Sequence, residues 1–208
     1  MRLATWNVNS IRARVDRVMA FLERTGTDVL AMQETKCRPD QFPIEPFEAA
    51  GFRVVVHGLD QWNGVAIASR VGLSDIETSF PWQPSFGRSE AIVEARAIGA
   101  TCAGVRVWSV YVPNGRGLDD PHYPYKLSFL ATLGKAAEAW ITGDPPLAIV
   151  GDWNVAPLDT DTWDSSDPEV ATHVSPDVRE AFFAFERAGY EEISRRFLPE
   201  EGRYTFWD

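Results

Sequence analysis

Apolar residues in this chain are grouped in short runs, and four of the runs end on an oxygen-bearing or amide side chain. These runs are Leu3–Asn7, Val29–Glu34, Val107–Tyr111 and Ala148–Asn154. Short apolar runs bounded by polar residues are typical of buried β-strands. Open α/β sheets bind ligands at the carboxyl ends of their strands, so the pattern predicts an oxygen-rich site where these runs end.

Between the strands, apolar residues recur at helical spacing. The pattern at residues 11, 15, 18, 19 and 22 predicts a helix from Ile11 towards Arg24, with Ser10 as its N-cap and Gly26 just past its end. A second helix is predicted near Tyr125–Ile141 by the same spacing. Strand, helix and strand therefore follow one another twice along the chain.

A last helix is predicted over Ser175–Gly189, with Ser175 as its cap. Further strands are predicted at Arg53–His57, Gly64–Ala68, Ser74–Glu77, and Ile92–Ile98 paired with Arg106–Val112. Loops rich in proline and glycine are predicted at residues 80–86 and 113–124. No linker or low-complexity tract interrupts the 208 residues, which predicts one α/β domain over 1–208.

Charge is distributed unevenly along the chain. The net charge is −10, yet residues 1–38 carry seven basic and four acidic residues, whereas residues 144–208 carry five basic and fifteen acidic residues. Most of the C-terminal acidity is ordinary solvated surface. An acidic total weakens non-specific binding to nucleic acid, but it does not exclude a basic footprint on one face.

Other features of the composition narrow the class of protein. The chain has two cysteines, Cys37 and Cys102, too few for a disulfide framework and typical of a reducing compartment. No apolar run approaches the roughly 18 residues of a membrane span. The N-terminus has no apolar segment of the kind that directs secretion. We therefore expect a cytoplasmic protein without a membrane partner.

Asn7 and Glu34 follow apolar strands on either side of the first predicted helix. If those strands are adjacent and parallel, both side chains come within reach of a single ion. A carboxylate with an amide oxygen suits Mg²⁺ or Mn²⁺, which keep several waters and bind through few protein ligands. No cluster of cysteine and histidine has the spacing of a zinc site.

Asp152, Asn154 and Tyr111 end the other two strands. Asp152 and Asn154, two residues apart on an extended segment, would point the same way, so that one orients a water and the other a phosphate oxygen. Tyr111 and the following Asn114 could contact the same phosphate. Each of these residues taken alone is more often a turn, cap or core residue. It is their shared position at strand ends that favours a site.

Five segments together resemble the exonuclease III family, which contains apurinic/apyrimidinic (AP) endonucleases and 3′→5′ exonucleases. They are residues 5–12 (TWNVNSIR), 33–36 (QETK), 62–67 (WNGVAI), 111–115 (YVPNG) and 151–155 (GDWNV). The resemblance implies an α/β fold, a four-layer sandwich of two packed mixed β-sheets flanked by helices. It also implies Mg²⁺-dependent hydrolysis of phosphodiesters in double-stranded DNA, at abasic sites and blocked 3′ ends, by a protein we expect to be monomeric.

The resemblance also implies a role for each residue that matches. Glu34 would be the metal ligand with Asn7 beside it, and Asp152 would position or activate the water. Asn154 would orient the phosphate, and Tyr111 would support the phosphate or the departing oxygen. Candidate substrate contacts are Arg12, Asn114, Arg116 and Lys126, with Lys36, Arg38 and Arg88 as further basic candidates; each basic residue is otherwise ordinary surface charge.

The chain departs from the family pattern at its C-terminal end. The family ordinarily continues with an Arg-Ile-Asp-Tyr-like strand and a Ser-Asp-His segment, and neither is present here. We therefore expect a domain with C-terminal strands missing, and little or no catalysis by the 208-residue form. No segment around His57, His122 or His173 matches the missing histidine, so the source of the general base stays open.

Three functions remain open from the sequence. The first is a DNA-repair nuclease that cuts at abasic sites and trims 3′ ends. The second is a phosphatase or phosphodiesterase of the same superfamily that acts on phosphates other than DNA. The third is a catalytically inactive form that binds DNA or metal. Substrate choice depends on loops, which the motifs do not specify.

Overall fold

A computed structural model describes residues 1–87, 90–197 and 204–205 of the chain. The chain forms two compact units. The first consists of Met1–Tyr111 and Asp144–Trp153, and the second of Val112–Gly143 and Asn154–Asp208. All eight strands described belong to the first unit. The helices of the second unit lie in the two chain segments that begin at Val112 and at Asn154.

The first sheet contains strands β1 (Leu3–Asn7), β2 (Val29–Gln33), β3 (Arg53–His57) and β4 (Val65–Ser69), in the order β1-β2-β4-β3. Strands β1 and β2 are parallel, and Asn7 is in register with Gln33. Helix α1 (Ile11–Thr25) connects them, and Gly26 ends it in the left-handed conformation, as its position in the sequence predicts. The short helix α2 (Glu45–Ala49) precedes β3.

The second sheet contains strands β5 (Ser74–Glu77), β6 (Ala97–Cys102), β7 (Val105–Tyr111) and β8 (Leu147–Asp152), in that order. Strands β6 and β7 form an antiparallel hairpin, while β7 and β8 are parallel, with Tyr111 in register with Asp152. Because parallel neighbours end at the same edge of a sheet, the register brings these two side chains to one place.

Two apolar clusters hold the first unit together. Helix α1 buries Val18 and Leu22 against Leu30 and Met32 of β2, and burying each such side chain contributes about 2 kcal/mol. On the opposite face, β2 and β4 pack against the second sheet through a buried cluster that includes Val29, Val65, Ile67, Ile98, Ala100 and Val107. Strands buried on both faces explain the continuous apolar runs in the sequence. The α/β class with two packed mixed sheets is confirmed.

The second unit is helical in its described part. It contains helices α3 (His122–Trp140), α4 (Ala171–Val174), α5 (Pro176–Arg187) and α6 (Ile193–Phe197). Helices α3 and α5 bury their apolar faces within this unit, and the Tyr190 hydroxyl after α5 donates to the Ala137 carbonyl at 2.8 Å. Within the described ranges, no helix is long and apolar enough to span a bilayer.

Two details of the sequence prediction are wrong. The strand expected at Ile92–Ile98 begins only at Ala97, because Ile92 and Val93 are 48% and 43% exposed and do not contribute to the core. Helix α3 begins at His122 rather than near Tyr125. Ser10 and Ser175 do occupy the N-cap positions of α1 and α5, as predicted, but neither side chain makes a cap hydrogen bond. The Ser175 hydroxyl hydrogen-bonds the Tyr123 hydroxyl at 2.7 Å instead.

Gly151 gives a test of how β7 and β8 are paired. Its φ is +147°, and a Cβ placed there would lie 1.9 Å from the Val110 carbonyl oxygen of the neighbouring strand. We expect Gly151→Ala to lower the free energy of unfolding by about 2–4 kcal/mol, because the strands must separate. Urea unfolding measures the change. Gly117→Ala is the control, because nothing lies within 4 Å of a Cβ there. Equal stability of both variants would contradict this packing.

Candidate active site

Three predicted site residues meet in the first unit at the ends of strands. Asn7 ends β1, Glu34 follows β2 directly, and Asp152 ends β8. The Asn7 amide nitrogen donates to Glu34 Oε1 at 2.7 Å and to Asp152 Oδ2 at 2.8 Å. All three side chains are partly buried. The expected convergence of Asn7, Glu34 and Asp152 is therefore present within this unit.

The orientation of the Asn7 amide follows from its neighbours. Its nitrogen faces two carboxylate oxygens, which only accept hydrogen bonds, and its oxygen accepts the Asn9 backbone N–H at 3.0 Å. Turning the amide over would set its oxygen against two carboxylates. In this arrangement Asn7 therefore holds the two acids side by side, and its oxygen points away from them.

A cation already lies against Glu34. The Lys36 ammonium is 2.8 Å from Glu34 Oε2 and also donates to Asn9 Oδ1 at 2.6 Å. Asn9, Glu34 and Lys36 all have positive φ, at 41°, 53° and 51°. Such a backbone conformation costs on the order of 1–3 kcal/mol per residue and persists where surrounding contacts enforce it. The loops after β1 and β2 are thus held in the shape that presents these side chains.

Tyr111 is the third polar donor at Glu34. Its hydroxyl hydrogen-bonds the Glu34 carboxylate, and the Arg96 guanidinium lies 4.7 Å from the centre of its ring. Arg96 is itself held by Glu94 at 2.6 Å, and Asn63 donates to Glu94 at 3.0 Å. The position of the phenol therefore depends on a chain of contacts from β7 back to the loop before β4.

These contacts act in opposite directions on the two titrating groups. Burial alone raises the pKa of Glu34, but hydrogen bonds from Asn7 and Lys36 outweigh it and hold the pKa below its usual value. For Tyr111, burial and then the negative charge of Glu34 raise the pKa well above 10. At neutral pH Glu34 is thus an anion and Tyr111 a neutral phenol that can donate a proton in a hydrogen bond.

The donor set fits a hard divalent cation bound through few protein atoms. Glu34 and Asp152 bring two carboxylates to one amide, and oxygen ligands of this kind suit Mg²⁺. Among residues that the structure describes, no group of three or more His, Cys, Asp or Glu could hold a metal. A cation here would therefore have few protein ligands, Glu34 among them, and waters would complete its coordination. The Lys36 ammonium at Glu34 shows that this carboxylate accepts a positive charge.

A second polar cluster lies in the second unit. The Asn154 amide nitrogen donates to the Val112 carbonyl at 2.8 Å, and its oxygen lies 3.1 Å from His173 Nε2. The Asn114 amide nitrogen lies 3.2 Å from the same His173 Nε2, while the Asn114 oxygen accepts the Arg116 backbone N–H at 3.0 Å. Asn154 has a φ of 50°, so it is not on the extended segment that the sequence predicted.

His173 cannot satisfy both asparagines at once. A protonated Nε2 donates to the Asn154 oxygen, whereas a bare Nε2 accepts from the Asn114 amide. Burial, followed by the positive charge of Lys126, lowers the pKa of His173 to about 4. The imidazole is therefore neutral at pH 7, and its tautomer selects which amide it contacts.

The predicted substrate contacts have different surroundings. Arg12 is exposed on α1, Arg116 is exposed after Asn114, and both are accessible to a phosphate. Lys126 has no exposed surface, and its ammonium binds backbone carbonyls, so its assignment as a direct phosphate contact does not fit. Arg38 forms a surface pair with Asp40. Arg88 lies outside the described residues.

Several residues of these clusters were not found from the sequence. Arg96 and Glu94 lie in a segment predicted as strand, and nothing local links them to Tyr111. The sequence around His173 contains no motif that predicts a role for it. The one local signal is the spacing of Glu94 and Arg96 before β6, since alternate residues of an extended segment share a face and can form an ion pair.

The sequence matches the model of the Endonuclease/Exonuclease/phosphatase family over residues 4–208. The chain belongs to this family. It is 28% identical over 218 residues to an exodeoxyribonuclease of Bacillus subtilis, with 100% of the chain and 80% of that protein covered. Two solved structures are similar over 100% of the chain and 79% of their own length. One is an AP endonuclease from Archaeoglobus fulgidus (35% identity, TM-score 0.88), and the other is the 3′ phosphatase NExo from Neisseria, bound to product DNA hairpin (34%, 0.90).

Membership in this family confirms the predicted resemblance and the predicted class of enzyme, a phosphodiester hydrolase of the DNA-repair type. The roles of individual residues, the identity of the metal, the monomeric state and the cytoplasmic location stay predictions. The organisation into one domain also stays a prediction.

The lowered pKa of His173 predicts how stability depends on pH. Between pH 6.5 and 4 the unfolded chain binds a proton at this residue that the folded chain excludes, so the free energy of unfolding falls as pH falls. From pH 7 to pH 5 the wild type should lose about 2 kcal/mol more than His173→Gln. Urea unfolding at both pH values measures this, with His122→Gln as control. Equal losses in wild type and His173→Gln would contradict the burial of a neutral imidazole.

Proposed function

We propose that this chain is a Mg²⁺-dependent DNA-repair nuclease that hydrolyses phosphodiesters in double-stranded DNA at abasic sites and blocked 3′ ends. The observation that carries the proposal is the Asn7 amide, which holds Glu34 and Asp152 together at 2.7 and 2.8 Å. Two acids kept side by side and half-buried favour a cation. The names of the relatives, an exodeoxyribonuclease, an AP endonuclease and a 3′ phosphatase, support DNA as the substrate.

Glu34 and Asp152 are the acids available to the metal and to water. We assign Glu34 as the metal ligand, with Asn7 beside it, because Glu34 is anionic and already forms an ion pair with the Lys36 ammonium. Mg²⁺, or Mn²⁺ in its place, would supply Lewis-acid stabilisation of the phosphate charge. We assign Asp152, whose Oδ2 accepts a hydrogen bond from the Asn7 amide, to position or activate the attacking water.

The remaining groups are hydrogen-bond donors suited to a phosphate. Tyr111 keeps its proton at neutral pH, because burial and the charge of Glu34 raise its pKa, so it can donate to the phosphate or to the departing oxygen. Asn154 and Asn114 are assigned to phosphate oxygens. Exposed Arg12 and Arg116 are assigned to the DNA backbone, where such contacts position a substrate without reading its sequence.

The deciding experiment is a nicking assay on a duplex oligonucleotide with one tetrahydrofuran abasic site, with Mg²⁺ or with EDTA. We expect cleavage beside the lesion with Mg²⁺ and none with EDTA. A duplex with a 3′-phosphate tests trimming of blocked ends. Binding without cleavage would support the inactive alternative. Cleavage only of a small phosphate ester such as p-nitrophenyl phosphate would support the phosphatase alternative.

Glu34→Ala tests the metal ligand directly. We expect metal affinity and nicking each to fall by about 10²-fold or more, because a bound cation contributes several kcal/mol of charge stabilisation. Calorimetric titration with Mn²⁺ measures affinity independently of turnover, and urea unfolding checks that the fold is kept. Glu48→Ala, at an exposed position on α2, is the matched control. Unchanged Mn²⁺ affinity in Glu34→Ala would refute this assignment.

A further inference from the structure

Lys126 on α3 is a lysine with no exposed surface. Its ammonium donates to three backbone carbonyls, those of Asn114 at 3.0 Å, Asn154 at 2.5 Å and Thr172 at 2.7 Å. A lysine ammonium has three N–H donors and no acceptor, so these three carbonyls match its hydrogen-bonding capacity. The side chain is therefore committed inside the second unit and is not accessible to a substrate.

The three carbonyls belong to three separate segments of the second unit. Asn114 lies in the loop before α3, Asn154 begins the segment after β8, and Thr172 is in α4, next to His173. The Thr172 hydroxyl also donates to the Asn114 carbonyl, at 2.9 Å. The polar cluster consists of the side chains of Asn114, Asn154 and His173. One ammonium thus binds the carbonyls of the first two residues and the carbonyl of the residue before the third.

Holding three segments together with a buried ammonium carries a desolvation penalty. Removing a charge from water is strongly unfavourable unless hydrogen bonds compensate for it, and an apolar side chain of similar length would fill the space without that penalty. What an apolar side chain cannot do is bind three carbonyls in a defined geometry. Gly115 shows how closely this geometry is packed, because a Cβ there would meet Thr172 at 2.9 Å and the Lys126 stem at 3.3 Å.

We propose that Lys126 is a positioning residue, whose buried ammonium sets the placement of Asn114, Asn154 and His173 by binding the carbonyls of their segments. The kinetic part of this inference rests on the proposed function, in which Asn154 and Asn114 contact the phosphate. The structural part does not, because the three loops are joined whatever the substrate is.

The structural part is tested by hydrogen exchange on the full-length protein without substrate. Lys126→Met keeps most of the side-chain volume and removes the ammonium. We expect faster amide exchange in the segments around Asn114, Asn154 and Thr172, with the strands of the first unit unchanged. The matched control is Lys135→Met, which removes the same charge from an exposed position on the same helix. In addition, the pKa of His173, followed by NMR, should rise in Lys126→Met only, because the charge of Lys126 lowers it.

The kinetic part is measured on the abasic duplex with Mg²⁺. We expect Lys126→Met to lower kcat about tenfold or more while KM changes less than about threefold, since misplacing a contacting group by 1 Å can cost up to about 10²-fold. Lys126→Arg keeps the charge, but its planar group cannot reach all three carbonyls. We expect Lys126→Arg to fold and its kcat to fall about threefold. This variant therefore tests the positioning role even if Lys126→Met does not fold.

The outcomes separate this inference from the proposed function. A wild type that does not cut DNA refutes the function, while the exchange and NMR results still decide whether Lys126 positions the three segments. Unchanged exchange in a folded Lys126→Met would overturn the inference. So would an unchanged kcat in either folded variant of an active enzyme, because Lys126 would then stabilise the unit without positioning Asn154.

Discussion

The first unit depends on one interaction, the hydrogen bonds from the Asn7 amide to Glu34 and Asp152. Two carboxylates in a half-buried place repel each other, and either would neutralise itself by binding a proton if nothing compensated. The two N–H groups of one amide satisfy an oxygen of each acid, and Lys36 and Tyr111 add donors to Glu34. Glu34 therefore remains available as an anion, as metal binding requires.

The strands explain why that amide can reach both acids. Asn7 ends β1 of the first sheet, beside the parallel strand that leads to Glu34, and Asp152 ends β8 of the second sheet. Strands β7 and β8 are in turn parallel neighbours, with Tyr111 in register with Asp152. Packing of the two sheets through their apolar faces therefore serves the site as well as the core, because it brings together ends that are far apart in sequence.

The second unit handles a buried charge in a different way. The first unit places two partly buried carboxylates beside hydrogen-bond donors. The second unit surrounds one fully buried ammonium with carbonyl oxygens. The nearby His173 responds to that charge and to burial by remaining neutral. A neutral imidazole between two asparagines can orient amides without adding a charge that would compete for a phosphate. The acidic total of the chain is consistent with DNA binding, because the exposed Arg12 and Arg116 supply local positive charge.

The sequence by itself determined the strands that lead to Asn7, Glu34, Tyr111 and Asp152, because strands buried on both faces appear in the sequence as continuous apolar runs. It also determined the family, since five short motifs occur in order. Tertiary structure decided what local patterns do not contain. Arg96 reaches Tyr111 only through the β6–β7 pairing, and Asn154 turns out of the strand into a left-handed conformation. Lys126, which resembles a surface lysine in the sequence, became a buried one, because whether an ammonium meets water or three carbonyls depends on segments that folding alone brings together.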